Sequence, residues 1–249
     1  MDIKDKVVLI TGGGTGLGRV TALAMAREGA HLAIGYSRSE ADAFSTVEEL
    51  KELGARAIAL QADVADSAQV KAMVEQVMDE YGRIDVLINN AGFTVFVPFH
   101  DLEGMKEEDW DRLMAVNAKG PFLCCKAVVP IMRQQGGGRI VNIGTISGIR
   151  PVGSSIGYSV SKAALTHFSQ CLAKGVAPEI TVNVVAPGSM LTRWVPNITE
   201  EQIQSTIEGN SLKRYAELED VAAAIGMAAK NDSMTGQVVT VDAGATLVM

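Results

Sequence analysis

Histidine and cysteine are both scarce in this 249-residue chain, at three residues each. Of the cysteines, Cys124 and Cys125 are adjacent and Cys171 stands apart, with no CxxC pair among them. Neither a disulfide framework nor a zinc site is therefore expected. With only His31, His100 and His167 available, histidine-based and metal-dependent catalysis both lack material, and no metal is expected. Basic residues are outnumbered 22 to 29, for a net charge of −7. Nucleic acid and anionic membrane surfaces are themselves negative, so neither is an expected partner of a chain with no long Lys/Arg run. No apolar stretch reaches the roughly 18 residues of a membrane helix. The start, MDIKDKVVLITGG, places charges at Asp2, Lys4, Asp5 and Lys6 directly before a short apolar run, which is not a signal-peptide pattern. Buried free thiols and a cytoplasmic location are the resulting expectations.

What is present is apolar residues, 47% of the chain and too many for disorder, together with a regular alternation. Short β-branched runs stand at 7–11, 31–36, 55–61, 86–89, 139–143, 181–185 and 237–241. They are continuously apolar rather than alternating, the pattern of strands covered on both faces. Between them lie amphipathic stretches: Ala43, Val47, Leu50 and Gly54 hold helical spacing, as do Val70, Met73, Val74, Val77 and Tyr81. The expected fold is a single α/β domain over 1–249. It is a Rossmann-type doubly wound parallel sheet of about seven strands with helices on both faces. Ligands of such sheets bind beyond the carboxyl ends of the strands.

Five of the 25 glycines fall in one loop, Thr11-Gly12-Gly13-Gly14-Thr15-Gly16-Leu17-Gly18, directly after the first strand. Glycine permits positive φ and close backbone approach, and the following helix N-terminus offers N–H groups and a favourable dipole to a diphosphate. The spacing is G-x-x-x-G-x-G, and Arg19-Val20 replaces the Lys-Ser/Thr of a P-loop. A tight strand–helix turn alone would also use glycines; the position at the first βα turn favours a dinucleotide. The second strand ends in Tyr36-Ser37-Arg38. A carboxylate here would bind the adenosine ribose and repel a 2′-phosphate, whereas arginine accepts one. NADP(H), with NAD(H) as the alternative, is the expected cofactor, held through Ser37 and Arg38.

Tyr158 and Lys162 are four apart at the start of a helical stretch and so share a face. A free phenol, with a pKa of about 10, exchanges protons poorly near neutrality; a neighbouring cation stabilises the phenolate. Thr145, at the end of the fifth strand, adds a hydroxyl thirteen residues earlier.

Across essentially all its length the chain resembles the short-chain dehydrogenase/reductase family, in its single-domain branch. The resemblance is carried by TGGGTGLG, Asp63-Val64, Asn89-Asn90-Ala91-Gly92 and Asn117. It extends through Thr145/Tyr158/Lys162, Pro187-Gly188 with Thr192, and GQVVTVDAG. It implies that Tyr158 is the general acid/base, that Lys162 lowers its pKa and binds the nicotinamide ribose, and that Asn117 supports a water-linked proton path through its backbone. Gly12, Thr15, Gly16, Leu17 and Gly18 would surround the diphosphate. Asp63 and Val64 would flank the adenine, Asn90, Ala91 and Gly92 would line the cleft, and Thr192, beside Pro187 and Gly188, would hold the carboxamide. The family usually has serine where this chain has Thr145, whose methyl restricts χ1; Ser147, two residues on, is the reserve hydroxyl.

Phe93, Phe96, Phe99, Ile149, Val152, Met190, Leu191 and Trp194 are candidates for an apolar substrate pocket, with Ser189 to Leu212 as its mobile lid. The run Gly153-Ser154-Ser155-Ile156-Gly157 matches a hydrolase elbow, but the only later histidine is His167 on the same helix. The nearest pattern within the family is that of 3-oxoacyl-carrier-protein reductases, which hold an acidic carrier with basic residues where this chain has Gly136 and Glu179. With a charge of −7, a small or apolar ketone/secondary alcohol is preferred over a carrier-bound chain. A non-catalytic nucleotide sensor is the alternative of another class, though a sensor needs neither Tyr158 nor Lys162. An epimerase of the family's longer branch would need more C-terminal chain. The resemblance also implies self-association, as dimers and often tetramers.

Overall fold

A computed structural model describes residues 1–192, 194 and 199–248. Seven strands, β1 (Val7–Thr11), β2 (His31–Tyr36), β3 (Ala57–Gln61), β4 (Val86–Asn89), β5 (Gly138–Ile143), β6 (Ile180–Pro187) and β7 (Val238–Val241), form one sheet in the order β3-β2-β1-β4-β5-β6-β7. All six pairings are parallel. Helices α1 (Gly16–Arg27), α2 (Glu40–Glu52), α3 (Ser67–Tyr81), α4 (Glu107–Met114), α5 (Gly120–Gln134), α6 (Ile156–Val176), α7 (Glu200–Gly209) and α8 (Leu218–Lys230) complete the chain.

The continuous apolar runs have a simple cause. Val8 and Ile10 of β1 pack with Leu23, Val47, Leu50 and Ile225 on one side of the sheet. Val7 and Leu9 pack with Val74, Val77, Cys125 and Val128 on the other. Successive side chains point to opposite faces, so a strand covered twice has no polar position to offer. Cys124 and Cys125 are buried as expected, whereas Cys171 is exposed on α6. Among the described residues no helix is long and apolar enough to cross a membrane.

The bounds of β5, β6 and β7 shift from expectation by one or two residues, and two further differences have a physical cause. The third strand begins at Ala57 rather than 55, because the Ala55 N–H closes the end of α2 on the Leu50 carbonyl at 3.1 Å. The helical run that starts at Glu107 is interrupted by a π turn over Ala115–Lys119 with Asn117 at its centre. Pro121 contributes to this break: it has no N–H to return to the carbonyl four residues back, that of Asn117. From β1 the chain winds outward through β2 and β3, then returns to place β4 on the other side of β1. Strand order reverses there, and a crevice opens at the carboxyl ends.

Candidate active site

A cleft of about 1460 Å³ occupies that crevice. Every residue anticipated above as touching cofactor or substrate lines it, except Gly18, Asn117, Phe99 and Ile149. Of the anticipated lid, Arg193 and Val195 to Ile198 lie outside the described residues.

The loop after β1 is stitched to the loop after β4. The Thr11 hydroxyl accepts from the N–H groups of Asn90 and Ala91, both at 3.1 Å, and the Asn90 amide donates to the Thr11 and Gly12 carbonyls at 3.1 and 2.8 Å. Gly12 and Gly16 have φ of +66° and +51°, the left-handed region glycine tolerates. Gly18 serves the fold rather than the cleft: a Cβ there would run into the Gly12 carbonyl and lie 2.7 Å from the Asn90 amide nitrogen. No side chain caps the start of α1 and no acidic residue sits in its first turn. Its N–H groups therefore face the cleft side of the loop as a ready anion site, which fits the diphosphate of a dinucleotide.

At the far end, Tyr36, Ser37 and Arg38 line the cleft, while the nearest acid along the chain, Glu40, accepts from the Tyr36 hydroxyl at 3.2 Å. Burial pushes the Asp63 pKa up, but the Ala65 N–H and the Arg112 guanidinium outweigh it and hold the carboxyl below its ordinary value. The Arg112–Asp63 contact is 2.8 Å. Arg112 and Arg19, which pairs with Glu49, both line the cleft and were not anticipated. Partners 49 and 30 residues away leave no local signal.

At the near end, Tyr158 and Lys162 project from the first turns of α6, whose start is capped by the Ser155 hydroxyl accepting from the Tyr158 N–H at 3.2 Å. Lys162 is 4% exposed and its ammonium donates to the Ile143 carbonyl at 2.8 Å. Burial raises the Tyr158 phenol to about 12, with hydrogen bonding to the Thr145 hydroxyl pulling the other way. The depression expected from Lys162 is not among the causes of this shift, which burial dominates. Thr145 caps a short 3-10 turn over Ile146–Gly148, accepting from the Ser147 N–H at 3.3 Å. The hydroxyl that faces Tyr158 is accordingly that of Thr145. Asn117 lies behind the wall. Its amide donates to the Phe93 carbonyl and the Ser161 hydroxyl at 2.8 and 3.0 Å and accepts from the Phe93 N–H at 2.8 Å.

Burial lowers the Lys162 pKa from 10.5 to about 8. Between those values the unfolded chain binds a proton that the folded chain does not, so the penalty is full below pH 8 and gone above 10.5. The stability of Lys162→Met relative to wild type is expected to fall with rising pH across this window, by up to ~1.4 kcal/mol per pH unit. Urea unfolding of the ligand-free proteins that shows a constant difference contradicts this.

The same arrangement recurs in known proteins. The short chain dehydrogenase family profile matches residues 6–203. The 3-oxoacyl-[acyl-carrier-protein] reductase of Synechocystis sp. is 38% identical over 243 residues, 96% of either chain. The chain belongs to the short-chain dehydrogenase family. Among solved members, a short chain dehydrogenase of Burkholderia cenocepacia in complex with NADP superposes with a TM-score of 0.91 at 33% identity, covering 99% of this chain and 100% of its own. The NADPH-dependent 3-quinuclidinone reductase of Rhodotorula rubra gives 0.90 at 29% identity, covering 99% and 93%. This dehydrogenase is an oxidoreductase acting on a CH–OH/C=O group with a nicotinamide cofactor.

Apolar side chains line the dehydrogenase cleft on the side of the 93–98 segment and of 190–192 and Trp194. Phe93 and Met190 are partly buried, while Phe96, Leu191 and Trp194 are 54%, 52% and 43% exposed at the mouth. The 93–98 segment is held to the loop before α6 by the Val97 N–H donating to the Ser154 carbonyl at 2.9 Å and by the Thr94–Ser154 hydroxyl pair at 2.5 Å. Helix α4 backs this end: a Cβ on Gly157, next to Tyr158, would lie 2.8 Å from Leu113.

Proposed function

We propose that this protein is an NADP(H)-dependent reductase or dehydrogenase of a small or apolar ketone/secondary-alcohol pair, working as one domain over 1–249 with 189–212 as substrate lid. The observation that carries this reading is the meeting of the Tyr158 and Thr145 hydroxyls at the floor of the cleft, beside an apolar mouth. The nicotinamide supplies or accepts the hydride. In reduction Tyr158 gives its proton to the carbonyl oxygen while Thr145 hydrogen-bonds that oxygen; in oxidation Tyr158 takes the proton back. Lys162, with its ammonium anchored on the Ile143 carbonyl, is placed one helical turn from Tyr158 to bind the nicotinamide ribose and to stabilise the phenolate. Asn117 holds the loop after β4 against α6, and the carbonyl freed by Pro121 is its contribution to a water path.

The preference for NADP(H) rests on Ser37 and Arg38 in the cleft wall with no carboxylate at 36–38. Arg38→Ala is expected to weaken NADPH binding about 10- to 100-fold, the loss of one charge-assisted phosphate contact. NADH binding should be unchanged. A panel of ketones and alcohols run with NADPH and NADH side by side tests the whole reading; a strong NADH preference overturns the role of Arg38.

A second reading, reduction of a carrier-bound 3-oxoacyl chain, is favoured by the name of the Synechocystis relative. Against it stand Gly136 and Glu179, where a carrier's acidic surface would meet a carboxylate rather than a cation. Apolar Phe122 and Val160, 45% and 40% exposed on α5 and α6, support pairing of these helices between copies in a dimer or tetramer.

A further inference from the structure

The turn after β5 places a second hydroxyl behind the one that faces Tyr158. Thr145 Oγ1 receives the Ser147 N–H at 3.3 Å, and the Thr145 and Ser147 hydroxyl oxygens lie 3.4 Å apart, a long hydrogen bond with room to shorten. Ser147 is buried yet lines the cleft. Its hydroxyl occupies a slot that exists because position 153 has no side chain. A Cβ on Gly153 would stand 2.5 Å from Ser147 Oγ and 3.0 Å from its Cβ, and Gly153 holds a φ of +121° that other residues rarely adopt. Three elements (the β5 end, the 3-10 turn and the 150–155 loop) are thus shaped around this one oxygen.

We propose that Ser147 is a positioning residue for the carbonyl reaction, one that fixes the Thr145 hydroxyl against Tyr158 and polarises it when substrate arrives. The inference rests on the roles given to Tyr158 and Thr145 above. In this structure Thr145 donates to Ser147. A carbonyl oxygen placed beside Tyr158 is a better acceptor, so the Thr145 O–H turns to it and the Ser147 O–H reverses to donate into Thr145 Oγ1. A hydroxyl that receives two hydrogen bonds is itself a stronger donor. No proton changes owner in this step; only the direction of one hydrogen bond does. The arrangement also answers the methyl of Thr145. With χ1 restricted to few rotamers, an anchor on Oγ1 keeps the hydroxyl rather than the methyl towards the reacting oxygen.

The test is steady-state kinetics of the full chain with a ketone and its alcohol that the wild type converts. Ser147→Ala is expected to lower kcat about 10-fold, leave the cofactor KM unchanged and raise the apparent pKa governing alcohol oxidation by half a unit or more. Lys162 is the titratable group facing Tyr158 from its own helix. The other charges among the described lining residues, Arg19, Arg38, Asp63 and Arg112, belong to α1, α4 and the ends of β2 and β3. Ser147→Cys keeps the volume but donates poorly, and is expected to lose as much. Gly153→Ala, whose methyl would crowd the Ser147 hydroxyl, should lose a similar factor. An unchanged kcat and pH profile in Ser147→Ala overturns the proposal. So does full activity in Ser147→Cys, which would show that only volume matters, or a smaller loss in Thr145→Val than in Ser147→Ala. Should Gly153→Ala fail to fold, the two Ser147 variants still decide. Turnover retained by Tyr158→Phe would instead sink the reading beneath, a separate outcome.

Discussion

Tyr158→Phe is expected to bind the cofactor within a few-fold of wild type and to turn over at about a thousandth of its rate or less. General acid–base transfer by a positioned side chain contributes about 10²- to 10⁴-fold; no imidazole lines the cleft among the described residues, and its other tyrosines, Tyr36 and Tyr215, stand at the end of β2 and just before α8. The substitution removes one oxygen and nothing that builds the site. The cap of α6 uses the Tyr158 N–H, Lys162 is held by the Ile143 carbonyl, and the glycine loop lies on another element. Because burial pushes the phenol up to about 12, the protonated form needed for carbonyl reduction persists through neutral pH. The phenolate needed for alcohol oxidation forms only as pH rises. Oxidation by the wild type should therefore quicken towards alkaline pH while reduction holds steady and then declines. Near-normal turnover in the phenylalanine variant, measured by cofactor absorbance, refutes the mechanism.

Gly18→Ala should abolish cofactor binding, by at least 100-fold, and destabilise the ligand-free protein as well. The added methyl cannot be accommodated by a side-chain swing, because what it meets is the Gly12 carbonyl and the Gly13 Cα, both backbone, together with the Asn90 amide. Overpacking of this kind costs about 1–3 kcal/mol, or roughly 2–10 °C in Tm for a chain of this length. Relief is available only by moving the loop, which also disturbs the uncapped start of α1. Gly175→Ala is the control: it lies in α6 with nothing within 4 Å of the new methyl, and should raise stability by up to ~1 kcal/mol. Equal behaviour of the two variants in thermal unfolding and NADPH titration would show that the Gly18 contact does not matter.

The three-layer α/β fold was legible because β1 carries Val7, Val8, Leu9 and Ile10 without a polar interruption, and the other inner strands repeat the pattern. Apolar content on both faces leaves one class of answer. The glycine loop after β1 and the Tyr158–Lys162 pair, both in the cleft wall, were legible because each is a local spacing. What stayed hidden depends on contacts between distant positions. Arg112 meets Asp63, and Thr11 receives two N–H groups from the loop after β4; neither has a neighbour in sequence that announces it. The π turn at 115–119 is a matter of one extra residue in a helix whose apolar pattern continues through it. That burial rather than Lys162 sets the phenol pKa is a matter of depth in the fold, which spacing does not reveal.

Helix α4 touches both ends of the cleft at once: Arg112 grips Asp63 near the adenosine end, and on the next residue Leu113 fills the space that Gly157 leaves beside Tyr158. A larger residue at 157 would need a smaller one at 113, and any rotation of α4 that made room would carry Arg112 away from Asp63. Positions 63, 112, 113 and 157 are therefore expected to change together during divergence, as a heritable set rather than four independent sites.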